Sequence, residues 1–491
     1  MKGELRESGR PKGLSLFQGV KRPTRALSGV TVVAVVAKPY PCPHGRCVYC
    51  PGGPRMETPQ SYVPDSPAVR RAAAYGYHPY DQVRARLLQY VTMGHRPSKV
   101  ELIVMGGTFP AMPLDYQEWF VAQALEAMNR FPEPRRPGWV YLEEAQLRNE
   151  SAPVRCVGLT LETRPDWSKE RHVDRFLYLG ATRVELGVQT VYDEVLERVR
   201  RGHGVRDTVE ATRILKDAGY KVAYHMMLGL PGSDPDMDFE AFKRIYEDPD
   251  FRPDYVKIYP TLVVPGSELY EWWARGDYEP YDEDTLVELI ARIKAITPPW
   301  VRIIRVQRDI PSMWIAAGPR KANLRELVWQ YMRKHGLKCR CIRCREVGRY
   351  ALWTGEVPRP EDAKLVRRDY EASEGLEVFL SFEDPTRDVL YGFLRLRLPS
   401  EHAHRWEVDS RTAIVRELHV YGPVTPVGEA GMWWQHRGFG SRLLAEAERI
   451  AREELDARKL LVISGVGVRR YYLSRGYRRL KGSFYVYKSL S

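Results

Sequence analysis

As far as about residue 310, short β-branched runs alternate with longer amphipathic stretches. VTVVAVVA (30–37), VELIVM (100–105), RCVGLTL (155–161), TRVELGV (182–188), KVAYHMML (221–228), DYVKIY (254–259) and VRIIRV (301–306) are the length of strands and are bounded by turn residues. Between them, YQEWFVAQALEAM (116–128), RDTVEATRILKDAG (206–219) and DEDTLVELIARIKAI (282–296) carry apolar residues three and four apart, which predicts helices covering a sheet. This alternation predicts an α/β fold built of parallel β/α units, an open or closed barrel. Chemistry in such barrels gathers at the carboxyl ends of the strands, where this chain reads MGGTFP, LETRPD and MLGLPGSD.

Beyond residue 310 the pattern changes. A helical segment, LRELVWQYMRKHG (324–336), leads into KCRCIRCREVG and then into two runs, LEVFLSF (376–382) and VLYGFLRLRL (389–398), whose separator EDPTRD is a hairpin signal. A strand AIVRELHVYG (413–422), the helix GSRLLAEAERIAREEL and the strand KLLVISG complete a second, α+β unit. The expected organisation is a basic segment at 1–28, a barrel domain at 29–320, a cysteine-rich junction at 321–349 and an α+β domain at 350–491.

Composition narrows the class without naming it. With 44% hydrophobic and 28% charged residues the 491-residue chain is globular, and its mean hydropathy of −0.44 leaves no run near the ~20 apolar residues of a bilayer span. The first 28 residues scatter Lys and Arg and have no signal-peptide core. Seven cysteines, an odd number, argue for reduced thiols and a cytoplasmic protein. Six of them form two trios, Cys42/Cys47/Cys50 and Cys339/Cys341/Cys344; Cys156 reads as a small buried hydrophobe.

KPYPCPHGRCVYCPGG sets the first trio as C-x4-C-x2-C on a Pro- and Gly-rich loop after the first strand. Three thiolates are one short of the four that usually hold an iron–sulfur cluster, leaving one iron open. Zinc completed by His44 suits the spacing as well. Position separates the two. A cysteine loop after the first strand, followed by a Gly-Gly turn after the next, resembles the radical S-adenosylmethionine enzymes, with a spacing one residue longer than their usual C-x3-C-x2-C. The strings SGVTVVAVVAKPYPCPHGRCVYCPGG, ELIVMGGTFP, LTLETRPD, RVELGVQTVYD, KIYPTLVVPGSELYEWW, RVQRDIP, RELHVYG and SGVGVRRYY together resemble the catalytic subunit of Elongator and its archaeal and bacterial single-chain relatives, from about residue 28 to the end.

That resemblance implies a partial (β/α) radical S-adenosylmethionine barrel with a [4Fe-4S] cluster on Cys42, Cys47 and Cys50, and Gly106, Gly107 and Thr108 at the methionine amino group. Glu162, Arg164 and Gln189 would contribute polar contacts at the active face. It implies a second domain of the GNAT acetyltransferase type. There Leu418, His419, Val420 and Tyr421 form a splayed strand along acetyl-CoA, and Tyr472 stands near the thioester. Arg437, Gly438, Phe439, Gly440 and Ser441 open a helix whose N–H groups cradle pyrophosphate, as the R-G-x-G spacing also suggests. Lys99 matches a lysine contacting acetyl-CoA, and Lys257 points to the same face. The implied reaction abstracts hydrogen from the acetyl-CoA methyl group, adds the carbon radical to C5 of the wobble uridine in tRNA and hydrolyses the thioester. An electron donor is required; partner subunits are not specified.

Cys339, Cys341 and Cys344 suit three corners of a structural zinc site, with His335 as a fourth ligand. A net charge of +13 suits a polyanionic partner, and RRAAAYGYHPYDQVRARLLQY (70–90), mixing Arg and Tyr, is a candidate RNA surface. The competing reading is a protein lysine acetyltransferase with a structural iron–sulfur domain, using Glu417 as general base.

Overall fold

The computed structural model describes residues 21, 24, 27–321, 323–422 and 438–490. Seven strands, β1 (Thr31–Val36), β2 (Lys99–Met105), β3 (Arg155–Thr163), β4 (Arg183–Gln189), β5 (Lys221–Leu228), β6 (Tyr255–Pro260) and β7 (Arg302–Val306), pair in sequence order. Every pairing is parallel. The curled sheet is a half-barrel, as the strand–helix alternation predicts. Helices such as Leu114–Asn129, Val205–Asp217 and Glu283–Ala295 bury their apolar stripes on its outer face. The outward-pointing residues Val222, Tyr224 and Met226 belong to the core formed there.

The second sheet is mixed. It runs β13 (Arg478–Arg479), β14 (Val486–Ser489), β12 (Lys459–Val462), β11 (Thr412–Val420), β10 (Val389–Leu398), β9 (Gly375–Asp384) and β8 (Lys364–Ala372). Only β11 and β12 are parallel, and they pair over Thr412–Val415 alone. Beyond Val415 the two strands part, while β11 stays on β10 as far as Val420. Among the described residues, no strand therefore pairs with the β12-side edge of Glu417–His419.

The two sheets meet through buried charge. Arg395 and Arg397 of β10 and Arg416 of β11 are fully buried, together with Asp217 and Asp254 from the half-barrel and Glu377 of β9. Arg416 donates to both oxygens of Asp254 at 2.8 and 2.7 Å and to Glu377 at 2.8 Å. Arg397 donates to Asp217 at 2.6 Å and to Glu377 at 3.0 Å. Close backbone approach completes the joint: a Cβ on Gly465 would lie 2.1 Å from the Val157 carbonyl oxygen, so no other residue fits there.

Candidate active site

Parallel strands point alternate side chains into the half-barrel. Two pockets lie on that inner face, at opposite ends of the strands.

At the carboxyl ends, the loop after β1 brings Cys42, Cys47 and Cys50 against the turn after β2. Gly106 (φ 143) and Gly107 (φ 77) have positive φ, and a Cβ on Gly107 would press on Gln60 at 3.2 Å and approach the Cys42 sulfur at 3.6 Å. Thr108 Oγ1 lies 3.6 Å from Cys42 Sγ, and Gln60 Nε2 donates to Cys50 Sγ at 3.5 Å. His44 Nε2 is 3.1 Å from Cys47 Sγ, and burial beside Arg164 and Arg201 pushes its pKa down to about 3, so the ring is neutral. Burial raises the Cys42 and Cys50 thiols, so a cation is needed to hold them as thiolates. Among the described residues, the threesomes whose ligand atoms lie within 4.8 Å of one another are Cys339/Cys341/Cys344 and Glu162/Glu185/His225. The loop thiols are more widely spread, which suits a multi-iron group better than one tetrahedral zinc.

The other predicted polar residues of this face are brought together, and none is a surface ion pair. Glu162 accepts from Lys257 Nζ at 3.0 Å and from the Tyr62 hydroxyl at 3.3 Å. Arg164, 2% exposed, forks onto Asp166 and donates to the Arg201 carbonyl at 2.7 Å. Gln189 holds a positive φ of 75°, and its Oε1 is buried without a hydrogen bond among the described residues. Lys257 also pairs with Glu185, which accepts from His225 Nε2 at 2.9 Å. The Lys257 ammonium bridges Glu162 and Glu185, so the group already holds a cation of its own.

Several lining residues went unforeseen. Buried Arg201 donates to Cys47 Sγ at 3.6 Å and clamps the Gly187 carbonyl at 2.7 and 3.2 Å. Gln60, Tyr62, His225, Tyr259 and Arg308 line the same pocket. His225 shares the inner face of β5 with Lys221, four residues earlier, which lines the other pocket.

At the amino ends, the second pocket lies between the half-barrel and the parted strands β11 and β12. Lys99, Leu418, His419, Val420, Tyr421 and Tyr472 all line it. Burial pushes Lys99 down to about 8. The Tyr421 hydroxyl accepts from Arg302 at 3.0 Å and His419 Nε2 contacts the Ser28 carbonyl at 2.7 Å. Glu417 lines the pocket but is engaged: Arg395 donates to it at 2.9 Å and the Tyr255 hydroxyl bonds its other oxygen. Burial alone would raise its pKa, but Arg395 and Lys221 outweigh burial and hold it below the usual range, which makes it a poor general base. Gly438 (φ 82) caps the helix Phe439–Glu453; Phe439 is core, its ring tilted against Phe382, and Ser441 accepts from Arg475 at 3.2 Å. A Cβ on Gly440 would meet the Tyr471 hydroxyl at 3.1 Å. Arg437 lies outside the described residues.

Two expectations are corrected. His335 is exposed, stacked on Tyr331 with Nδ1 at 2.9 Å from that residue's carbonyl, so it is no ligand of the junction thiols. Instead the buried Lys294 ammonium lies 3.8 Å from Cys344 Sγ. In 70–90, Tyr80 and Tyr90 are buried because helix Pro79–Thr92 packs them onto the half-barrel; Tyr75, 40% exposed, stays on the surface.

The comparisons agree with this geometry. Residues 39–244 match the Radical SAM superfamily and 253–334 the Radical SAM C-terminal domain. A Methanocaldococcus jannaschii protein named tRNA uridine(34) acetyltransferase is 52% identical over 465 residues, 94% of this chain and 85% of that protein. Human Elongator complex protein 3 is 46% identical over 474 residues, 95% of this chain and 85% of the relative. The solved structure of archaeal Methanocaldococcus infernus Elp3 with residues 1–46 deleted superposes with a TM-score of 0.82 at 48% identity, covering 94% of this chain and all of that one. The chain therefore belongs to the family of Elongator complex protein 3 and the archaeal tRNA uridine(34) acetyltransferases.

Proposed function

We propose that this chain is a tRNA uridine(34) carboxymethyltransferase that takes its two-carbon unit from acetyl-CoA. The carrying observation is the pair of pockets on one half-barrel, one lined by Cys42 of the cysteine loop and by Gly107 and Thr108 of the turn after β2, the other by the parted strand β11. Cys42, Cys47 and Cys50 hold a [4Fe-4S] cluster, which when bound supplies the electron for reductive cleavage of S-adenosylmethionine. Gly107 leaves room beside Cys42, Gln189 offers an unpaired carbonyl, and Arg164 and Arg201 keep the thiol loop closed. At the other end the edge of Glu417–His419 that no described strand covers offers backbone groups to the amides of a pantetheine arm, with Lys99 as a cation and Tyr472 beside the acyl end. The basic surface takes tRNA, an external donor supplies electrons, and the cytoplasm is the setting. No described helix is long and apolar enough to cross a membrane.

The test uses anaerobically reconstituted chain with dithionite, S-adenosylmethionine, labelled acetyl-CoA and tRNA. Label in the wobble uridine is the expected result; label on protein lysine and never on RNA overturns it in favour of an acyl transferase. The engaged Glu417 favours the first outcome.

Two further outcomes follow. Acetyl-CoA affinity should fall by about fivefold between pH 8 and 9, because the cationic form of a group titrating near 8 declines by that factor. Lys99→Met should bind more weakly with no such slope in calorimetric titrations. At the junction, Cys339, Cys341 and Cys344 bind a structural zinc with Lys294 offsetting the surplus thiolate charge. Cys341→Ser should lose about one zinc per chain and lower the Tm, read by elemental analysis and calorimetry.

A further inference from the structure

The two pockets are divided by a single layer of side chains. On β3, β4, β5 and β6, Gly158, Arg183, Lys221 and Tyr255 line the amino-end pocket, and Glu162, Gly187, His225 and Tyr259 line the carboxyl-end pocket. At the alternate position between each pair stand Thr160, Glu185, Ala223 and Lys257, which line neither. Same-face residues on a strand are about 7 Å apart, so the partition is one residue thick. On β2 nothing intervenes: Ile103 lines one pocket and Met105 the other.

The layer does not have the character of a packed plug. Its closure is an ion pair between two long side chains, Lys257 and Glu185, with Glu162 and His225 on the carboxyl-end side and Arg183 3.3 Å from Glu185 on the amino-end side. Beside Glu185 in register stands Ala223, whose methyl is the smallest group in the layer. Thr160 is fully buried, and its hydroxyl has no hydrogen-bond partner among the described residues, an arrangement a purely structural partition would avoid.

We propose that this layer is the passage by which the acyl end of the CoA thioester reaches the thiol-rimmed pocket. The acyl group enters the lumen from the amino-end mouth and passes Ala223 as Lys257 swings from Glu185 toward Glu162. The Thr160 hydroxyl donates to the thioester carbonyl on the way. Lys257 is in this account a positioning residue that opens or closes the lumen. The inference rests on the acetyl-CoA reading and adds a route to it.

The test is Ala223→Cys in the full, cluster-loaded chain, exposed to chloroacetyl-CoA without oxygen. A thiolate within reach displaces chloride and gains the CoA-thioester carboxymethyl mass on the peptide containing residue 223. Labelling of that peptide should exceed labelling at Cys156 by at least about tenfold, the advantage of a held neighbour, and acetyl-CoA should suppress it. If acetyl-CoA competes for the reagent while residue 223 stays unlabelled, the passage is overturned and the acetyl-CoA reading stands. If neither CoA thioester binds, both fall. Ala223→Leu gives a second reading: it fills the layer, and deuterium transfer from trideuterioacetyl-CoA to 5′-deoxyadenosine should drop at least about tenfold with acetyl-CoA still bound. Undiminished transfer would overturn the route.

Discussion

Cys47→Ser brings 5′-deoxyadenosine formation below about one-thousandth of the parent rate, equivalent to more than ~4 kcal/mol of lost transition-state stabilisation. Cys47 Sγ is held between His44 Nε2 at 3.1 Å and Arg201 at 3.6 Å. The hydroxyl of serine is a far weaker ligand for iron than a thiolate, and the loop contributes no fourth cysteine to replace it. Iron content and the electron paramagnetic resonance signal of the reduced protein should fall in parallel with turnover. Acetyl-CoA binding should survive, because its pocket lies at the other end of the strands and shares no lining residue with the thiol pocket. Parent-like cleavage by Cys47→Ser would mean that the cluster is held elsewhere.

Asp254→Ala is the second large effect, on stability. Asp254 is fully buried, accepts two hydrogen bonds from Arg416 and lies 3.4 Å from Arg395. Its removal leaves two guanidinium groups in the sheet-to-sheet joint short of a counter-charge, a loss of about 3–5 kcal/mol. Denaturant titration measures it; a change under ~1 kcal/mol would show that the joint tolerates the unpaired charge. Burial alone would raise the Asp254 carboxyl, but Arg416, Arg395 and Lys216 outweigh it and hold the group far below its usual range. A depressed carboxyl gives stability that is complete above the unfolded value of 3.8 and is lost as pH falls through the folded one. The parent's acid unfolding should therefore be displaced below that of Asp254→Ala, whose curve lacks this dependence.

The half-barrel was legible because its strands are apolar on the outer face and short, while its helices keep a 3.6-residue period. The edge strand Lys364–Ala372 was not, since KLVRRDYEA is charged on both faces, as an edge exposed to water permits. The buried joint misleads for a related reason. In VLYGFLRLRL, Arg395 and Arg397 alternate with leucines as a solvent face would, yet both are 0% exposed because Asp254, Glu417, Asp217 and Glu377 await them from other elements. Such pairing lies far apart in sequence, Arg397 and Asp217 being 180 positions apart. The cysteine loop and the Gly-Gly turn announced themselves by spacing. Arg201, Gln60 and Tyr62 did not, because they reach the thiol pocket from turns that carry no periodic signal.

The opposed mouths bear on the order of turnover. Two adenosine-bearing small molecules and one large polynucleotide would have to be exchanged in each cycle. On the proposed reading, with the parted-strand pocket and the thiol pocket at opposite ends of the strands, spent CoA can leave and a fresh thioester arrive at one mouth while the polynucleotide is exchanged at the other. Reloading from the rear, rather than rebinding at the front, is the kinetic regime this architecture permits.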